Sequence, residues 1–262
     1  MAADVIDLHC HVLPGIDDGP ATVEGSIALA RVAHARGVRD VVATPHVSSR
    51  YPNRPESIVR GVEQLNERLA DAGVALEVRP GAELAMTRLI ELEAQQIGRY
   101  ALGGGEWLLV ECPLASIANG FEILVMELQR RGHRVLLAHP ERCPTFQRNL
   151  GALASLVDAG ALTSITAGAL VGNFGADVRR FALRLVQEDM VHNVASDAHD
   201  DARRPPGMRA ELAAAGLEPL TDWLTREVPA AILSGGEVPP RPAVALPELK
   251  RAARSRWRLS RR

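Results

Sequence analysis

Short runs of β-branched and leucine-rich residues alternate along the chain with longer segments in which apolar positions recur every three to four residues. The first pattern is that of a strand buried on both faces and the second that of an amphipathic helix, so the alternation predicts βα units built on a parallel sheet. Seven runs read as strands, at residues 5–9, 40–44, 76–80, 107–111, 134–138, 162–166 and 192–196. Helices are expected over 23–36, 55–72, 87–97, 121–131, 150–159, 178–189 and 208–215. Four of these run into Gly37, Gly73, Gly132 or Gly160, where a left-handed stop meets no Cβ. Repeated units with right-handed crossovers close most naturally into a barrel, and an open doubly wound sheet is the alternative that alternation leaves standing.

Composition narrows this. Of 262 residues 47% are hydrophobic, 24% charged and only 3% aromatic, a globular composition whose core must come from Ala, Val, Leu and Ile. No internal repeat or low-complexity linker precedes Gly235. We therefore expect a single barrel domain over residues 1–235 and, over 236–262, a Pro-rich spacer followed by a basic tail carrying Leu249 and Trp257. That tail reads as solvated or loosely docked, with an acidic-partner or membrane-surface contact as the alternative.

The formal net charge is −2, but Lys250, Arg251, Arg254, Arg256, Arg258, Arg261 and Arg262 leave 23 basic against 32 acidic residues in the chain before them, or −9. A body this acidic is not a general nucleic-acid binder, and phosphate recognition within it needs local positive charge. No stretch is long and apolar enough for a membrane span, and the opening Met-Ala-Ala-Asp lacks the layout of a signal peptide, so a cytoplasmic protein without stable membrane insertion is expected. Cys10, Cys112 and Cys143 are odd in number and form no C-x-x-C pair, which fits reduced thiols.

Metal-type side chains recur where the strands end. The first delivers His9 and His11, two residues apart and so on one side of the strand, with Cys10 facing away and Asp17-Asp18 close behind. The second runs into His46, the third into Glu83, the fourth ends at Glu111, the fifth delivers His139, and the seventh Asp197 and His199. In β/α barrels the C-terminal strand ends converge on the face that carries the active site. His34, His133 and His192 fall mid-helix, in a loop and at a strand start, and read as structural or surface residues.

Taken singly each signal has an ordinary reading: an H-x-H can be a hydrogen-bonded buried pair, and a strand-end Glu can cap the next helix. Taken together they suggest a centre of two to three divalent ions. Imidazole and carboxylate without thiolate suit Mn, Fe or Zn, with Mg possible though it prefers all-oxygen shells. Three ions against four carboxylates leave roughly +2 for a phosphate dianion. Arg142, three residues after His139, and Arg204, just past His199, are the expected phosphate clamps, a guanidinium being able to donate two parallel hydrogen bonds; ordinary surface arginines are the alternative. A thiol phosphatase needs Arg six residues after its Cys, and those positions here are Ile16, Ala118 and Asn149. There is no Walker-type phosphate loop, and Gly103-Gly104-Gly105 precedes a strand as a turn would.

The stretches Asp7-Leu8-His9-Cys10-His11 through Gly15-Ile16-Asp17-Asp18-Gly19, Thr44-Pro45-His46, Gly81-Ala82-Glu83, Ala138-His139-Pro140-Glu141-Arg142, Thr166-Ala167-Gly168-Ala169-Leu170 and Ser196-Asp197-Ala198-His199 resemble the PHP superfamily. Within it they are similar to the CpsB/YwqE-like bacterial protein-tyrosine phosphatases of capsule and exopolysaccharide loci. The resemblance spans residues 4 to about 210. It implies a PHP-type distorted (β/α)7 barrel and a trinuclear centre, usually manganese, held by His9, His11, Asp18, His46, Glu83, Glu111, His139, Asp197 and His199. Arg142, Arg204, Asp18, His46 and His199 would face the reacting phosphate. Cys10 stands where a serine-like residue is common and Cys112 where an apolar one is, and the basic tail has no counterpart.

The expected activity is hydrolysis of phosphotyrosine, by resemblance on the tyrosine-rich C-terminal tail of a polysaccharide-synthesis tyrosine kinase. A small phosphomonoester such as histidinol phosphate, or a nucleotide, is the alternative substrate. A non-catalytic phosphate-binding module is the alternative from another class.

Overall fold

The strand runs legible in the sequence pair side by side and close on themselves. A computed structural model describes residues 4–115 and 120–245. The strands are β1 (Val5–Cys10), β2 (Val38–Ala43), β3 (His46–Val47), β4 (Glu77–Pro80), β5 (Glu83–Leu84), β6 (Trp107–Glu111), β7 (Arg134–Ala138), β8 (Leu162–Thr166) and β9 (Asn193–Ala195). Every ladder between them is parallel, in the orders β1-β2-β4 and β3-β5-β6-β7-β8-β9.

The two sheets form one ring. β2 runs on into β3 past Thr44-Pro45, and β4 into β5 past Gly81-Ala82. A parallel bridge between Cys10 and Ala198, with His11 N–H donating to the Ala198 carbonyl at 2.9 Å and Asp197 N–H to that of His9 at 2.8 Å, joins the last strand to the first. This is the distorted seven-stranded α/β barrel anticipated above, with two strands each broken once. The sequence pattern shows only their first halves, because Pro45 removes a ladder donor and Gly81 interrupts the apolar run. Gly81 is required by space: a Cβ there would lie 2.6 Å from Val42 Cγ1 and 3.2 Å from Leu102 Cδ2. The 3₁₀ turn carrying Leu102 packs against both β4 and β6, which is why β6 pairs with β5 and not with β4.

The helices are α1 (Val23–Ala35), α2 (Pro55–Asp71), α3 (Met86–Glu91), α4 (Ala94–Ile97), α5 (Phe121–Arg130), α6 (Pro144–Arg148), α7 (Leu150–Asp158), α8 (Ala167–Val171), α9 (Ala176–Gln187), α10 (Arg209–Ala214) and α11 (Val228–Ser234). Their apolar stripes face the strands; α2, for example, begins at Pro55 and buries Ile58, Val62, Leu65 and Leu69. Gly37, Gly73, Gly132 and Gly160 have φ of 89°, 67°, 89° and 96°, the left-handed stops their position predicts.

One expectation needs correction, and some short elements were not foreseen. The helix expected over 87–97 is two, because Leu92 and Glu93 are extended, with ψ of 138° and 144°. Helices α6, α8 and α11 were not anticipated, the first two being single turns after strand ends. Before α11 the chain makes a π turn over Trp223–Glu227. Pro229 has no N–H to give to the Thr225 carbonyl, so the regular ladder is interrupted there.

Residues 239–241 lie against the body: Trp223 Nε1 donates to the Pro239 carbonyl at 3.0 Å, and Arg241 donates to the Val186 carbonyl at 2.9 Å. The basic tail lies outside the described residues. Among these, no helix is long and apolar enough to cross a membrane.

Candidate metal centre

The C-terminal ends of six strands bring all nine candidate ligands together. β1 supplies His9 and runs out to His11, the following loop supplies Asp18, β3 His46, β5 Glu83 and β6 Glu111, while His139 follows β7 and Asp197 and His199 follow β9. Glu83 lies at the middle. Its carboxylate is 2.9 Å from His46 Nδ1, 2.8 Å from His139 Nε2 and 3.4 Å from His9 Nε2. Asp18 Oδ1 lies 3.4 Å from Nε2 of both His46 and His199, and Asp197 Oδ1 is 3.5 Å from Nε2 of both His9 and His11.

Donor atoms within 4.8 Å of one another form three groups: His11, Asp18, His46 and His199; His9, His11 and Glu83; His46, Glu83 and Glu111. The groups are contiguous, since His11, His46 and Glu83 each belong to two. His9, His11, Glu83, His139, Asp197 and His199 are all buried. Sequence spacing alone could not show this overlap, which comes from the ends of β1, β3 and β5 meeting at one rim.

Two ligand candidates have backbone that L-residues avoid: His139 has φ 36° and Asp197 φ 51°. Such conformations carry a cost of order 1–3 kcal/mol and persist where neighbours over-determine them. Here His139 N–H donates to the Ser164 carbonyl and Asp197 N–H to that of His9, each at 2.8 Å.

Behind the ligands stand groups to which the sequence reading gave no role. Asp17 Oδ2 accepts from His11 Nδ1 at 2.7 Å and from the His46 N–H at 3.0 Å, while its Oδ1 accepts from the Gly19 N–H at 2.9 Å. It therefore turns His11 Nε2 towards the centre, as a carboxylate behind a metal-binding imidazole does. Asp7 accepts from the Ser196 hydroxyl, from the Ser196 N–H at 3.0 Å and from the His9 N–H at 3.3 Å, tying β1 to the loop after β9. Glu141, fully buried, accepts from the Thr166 N–H at 3.0 Å. Asp7 shares the strand face of His9 and His11, a signal that was available; Glu141 acts across β8, which no local pattern reveals. At the rim, Tyr51 stacks on His46 with ring centres 5.8 Å apart.

The charges are tightly interleaved. Burial would lower the His11 pKa, but Asp17 and Asp197 outweigh it and raise it to about 10. Burial likewise opposes the charged forms of Glu83 and Asp197, yet the surrounding imidazoles, with Arg204 beside Asp197, hold both well below the usual carboxylate range. Glu111 is pushed up by burial and by Glu83. His199 is pushed down to about 4 by burial and by His11.

These residues fit a group of divalent cations. The donors are imidazole nitrogens and carboxylate oxygens, and the neighbouring thiol of Cys10 points instead to the Ala198 carbonyl at 3.9 Å. His139 Nδ1 is buried without a hydrogen-bond partner, an arrangement that is unfavourable for an imidazole nitrogen unless something else uses it. Arg142 and Arg204 stand on one side of the centre: Arg142 Nη1 donates to Asp197 Oδ2 at 2.9 Å and Arg204 Nη2 to the same oxygen at 2.7 Å. Both remain partly open to solvent, at 18% and 34% exposure.

Comparison with known proteins agrees with this geometry. A family described as capsular polysaccharide synthesis, CpsB/CapC, matches residues 5–217. Tyrosine-protein phosphatase YwqE of Bacillus subtilis is 38% identical over 197 residues, covering 75% of this chain and 78% of that protein. Tyrosine-protein phosphatase CpsB of Streptococcus pneumoniae is 28% identical over 213 residues, covering 78% and 87%. A crystal structure from work on YwqE and CpsB, described as unique metal-dependent tyrosine phosphatases, superposes with a TM-score of 0.78 at 33% identity over 92% of this chain and 100% of its own. The phosphotriesterase homology protein of Escherichia coli, at 13% identity and a TM-score of 0.51, shares the fold.

Proposed function

Because the chain belongs to the CpsB/CapC capsular polysaccharide synthesis family, we propose that it is a metal-dependent protein-tyrosine phosphatase, a phosphoric monoester hydrolase. The observation that carries this reading is the set of three contiguous donor groups beside two arginines that converge on one carboxylate oxygen. His9, His11, Asp18, His46, Glu83, Glu111, His139, Asp197 and His199 are the ligands in this reading. Manganese is the proposed metal, at two to three ions per chain.

When bound, the ions supply Lewis acidity that lowers the pKa of water and offsets the negative charge of the phosphoryl group. The protein's own groups do the rest. Arg142 and Arg204, now both spent on Asp197 Oδ2, have further N–H donors to place on the non-bridging oxygens of a phosphate. Asp17 holds His11 in the orientation that presents Nε2, and the burial of the cluster keeps bulk water from screening these charges. Phenol has a pKa of about 10, so the leaving group needs little proton donation. Asp18, His46 and His199, which meet at Asp18 Oδ1, complete the proposed catalytic set.

The proposed substrate is a phosphotyrosine protein, specifically the C-terminal tail of a capsule- or exopolysaccharide-synthesis tyrosine kinase, met in the cytoplasm. We place the catalytic barrel at residues 1–235 and treat 236–262 as an appended segment. The test is turnover by the Mn²⁺-loaded protein on a phosphotyrosine peptide and on histidinol phosphate. The expected result is preference for the peptide; preference for histidinol phosphate by orders of magnitude would replace the assignment.

A further inference from the structure

On the arginine side of the centre lies a cavity of about 210 Å³ that shares Asp197 and Arg204 with it and is walled by Phe174. Its volume is large enough for one ring, benzene fitting a cavity of roughly 150 Å³, and its walls combine Phe174 and Pro205 with polar side chains.

Two sets of observations mark it as a built pocket. Thr166 Oγ1, Arg204 Nε and Glu211 Oε2 belong to residues lining it, and each is buried without a hydrogen-bond partner; Thr166 as a whole is only 3% exposed. Polar atoms in that state are unfavourable unless a ligand meets them. Two lining glycines, Gly168 and Gly207, neither of positive φ, let other side-chain ends of the pocket approach the backbone closely. A Cβ on Gly207 would lie 2.6 Å from Arg36 Nη1 and 2.7 Å from Glu211 Oε1, and one on Gly168 would lie 3.0 Å from Asn173 Nδ2 and 3.4 Å from Phe174 Cε2. Phe174, whose ring centre lies 4.6 Å from Arg142 Cζ, ties the cavity wall to the phosphate clamp.

We propose that this cavity receives the aromatic ring of the phosphotyrosine leaving group while Arg142 and Arg204 hold its phosphate, and that Phe174 thereby sets a preference for aryl over alkyl phosphomonoesters. This rests on the phosphatase reading above and names the part of the substrate that the site reads. The ring gains apolar burial and an aromatic neighbour in Phe174. The Thr166 hydroxyl is a donor for the ester oxygen, and the Glu211 carboxylate an acceptor for a peptide N–H. An alkyl phosphate reaches the same clamp but leaves the cavity to water.

The test compares kcat/KM of the Mn²⁺-loaded protein for a phosphotyrosine peptide and for glycerol 2-phosphate, in wild type, Phe174→Ala and Phe174→Trp. Phe174→Ala is expected to lower the aryl value by about tenfold and the alkyl value by less than about twofold, with Phe174→Trp recovering most of the loss. An equal loss on both esters would mean that Phe174 only positions Arg142, and would overturn the proposal. Calorimetric titration of wild type with phenylphosphonate and methylphosphonate gives a readout independent of turnover and of any variant's folding. Tighter binding of phenylphosphonate is expected, and equal affinity would overturn the proposal. Hydrolysis of both esters with an unaltered ratio rejects the ring pocket alone, whereas failure to hydrolyse any ester or to bind either phosphonate rejects the phosphatase reading with it.

Discussion

Arg142 and Arg204, 62 positions apart in the chain, both donate to a single oxygen, Oδ2 of Asp197, at 2.9 and 2.7 Å. Two cations on one carboxylate oxygen is more positive charge than that oxygen needs, and the surplus faces the side from which a phosphate would arrive. The pair acts on one anion, so removing either member should do much of the damage of removing both. Arg142→Ala and Arg204→Ala are each expected to lower kcat/KM by about 10²–10³-fold, with the double variant falling well short of the product. Steady-state kinetics on a phosphotyrosine peptide measures this; unaltered kinetics in both single variants would return the arginines to the ordinary surface.

His11 is the one candidate ligand whose side chain Asp17 meets, its other hydrogen bonds being from the backbone N–H groups of His46 and Gly19. Asp17→Asn keeps the shape and loses the charge that fixes the imidazole. Metal affinity, read by competition with a chelating dye, is expected to weaken by about 10–100-fold. Wild-type affinity in this variant would mean that His11 is oriented by other contacts.

The three thiols are buried, with exposures of 0%, 0% and 1% for Cys10, Cys112 and Cys143. Burial pushes all three pKa values up, the opposite of an activated nucleophile. Incubation with iodoacetamide under native conditions is expected to leave phosphatase activity intact. Stoichiometric inactivation with alkylation of one cysteine would bring a thiol back into the chemistry.

His192 lies away from the centre and clamps β8 to the start of β9: its Nδ1 accepts from the Thr163 N–H at 3.2 Å. Burial, reinforced by the charge of Arg241, lowers its pKa to about 4. An unfolded histidine takes up its proton near pH 6.5, so below that pH the unfolded chain binds the proton and the folded chain does not. The stabilisation is therefore complete above about pH 6.5 and drains away as the pH falls towards 4, on the order of 2–3 kcal/mol. Urea unfolding at pH 7 and pH 4.5 should show a smaller acid-dependent loss in His192→Gln than in wild type; the same loss in both would exclude this histidine as a source.

Much of the centre was legible because strand periodicity is short and strict. His9 and His11 share a face at any register, and a barrel forces strand ends to one rim, so Glu111, His139, Asp197 and His199 could be placed together before their separation in space was known. Spacing alone did not separate Asp17 from Asp18; the family resemblance singled out Asp18. Adjacent in the chain, they diverge in the folded loop, one behind His11 and the other between His46 and His199. The left-handed backbone at His139 and Asp197 was equally hidden, since neither residue type announces positive φ as glycine does. The break at Leu92-Glu93 escaped because helical periodicity continues through it, and the π turn before Pro229 because no helix was expected over that stretch.

The central claim is that the strand-end imidazoles and carboxylates hold divalent ions on which phosphotyrosine hydrolysis depends. Elemental analysis of the purified protein, coupled to phosphate release from a phosphotyrosine peptide during chelation and Mn²⁺ re-addition, tests it most directly. The account predicts two to three ions per chain, loss of turnover with their removal and recovery in step with their return. A chain that binds no divalent ion, or one whose turnover is indifferent to chelation, would contradict it.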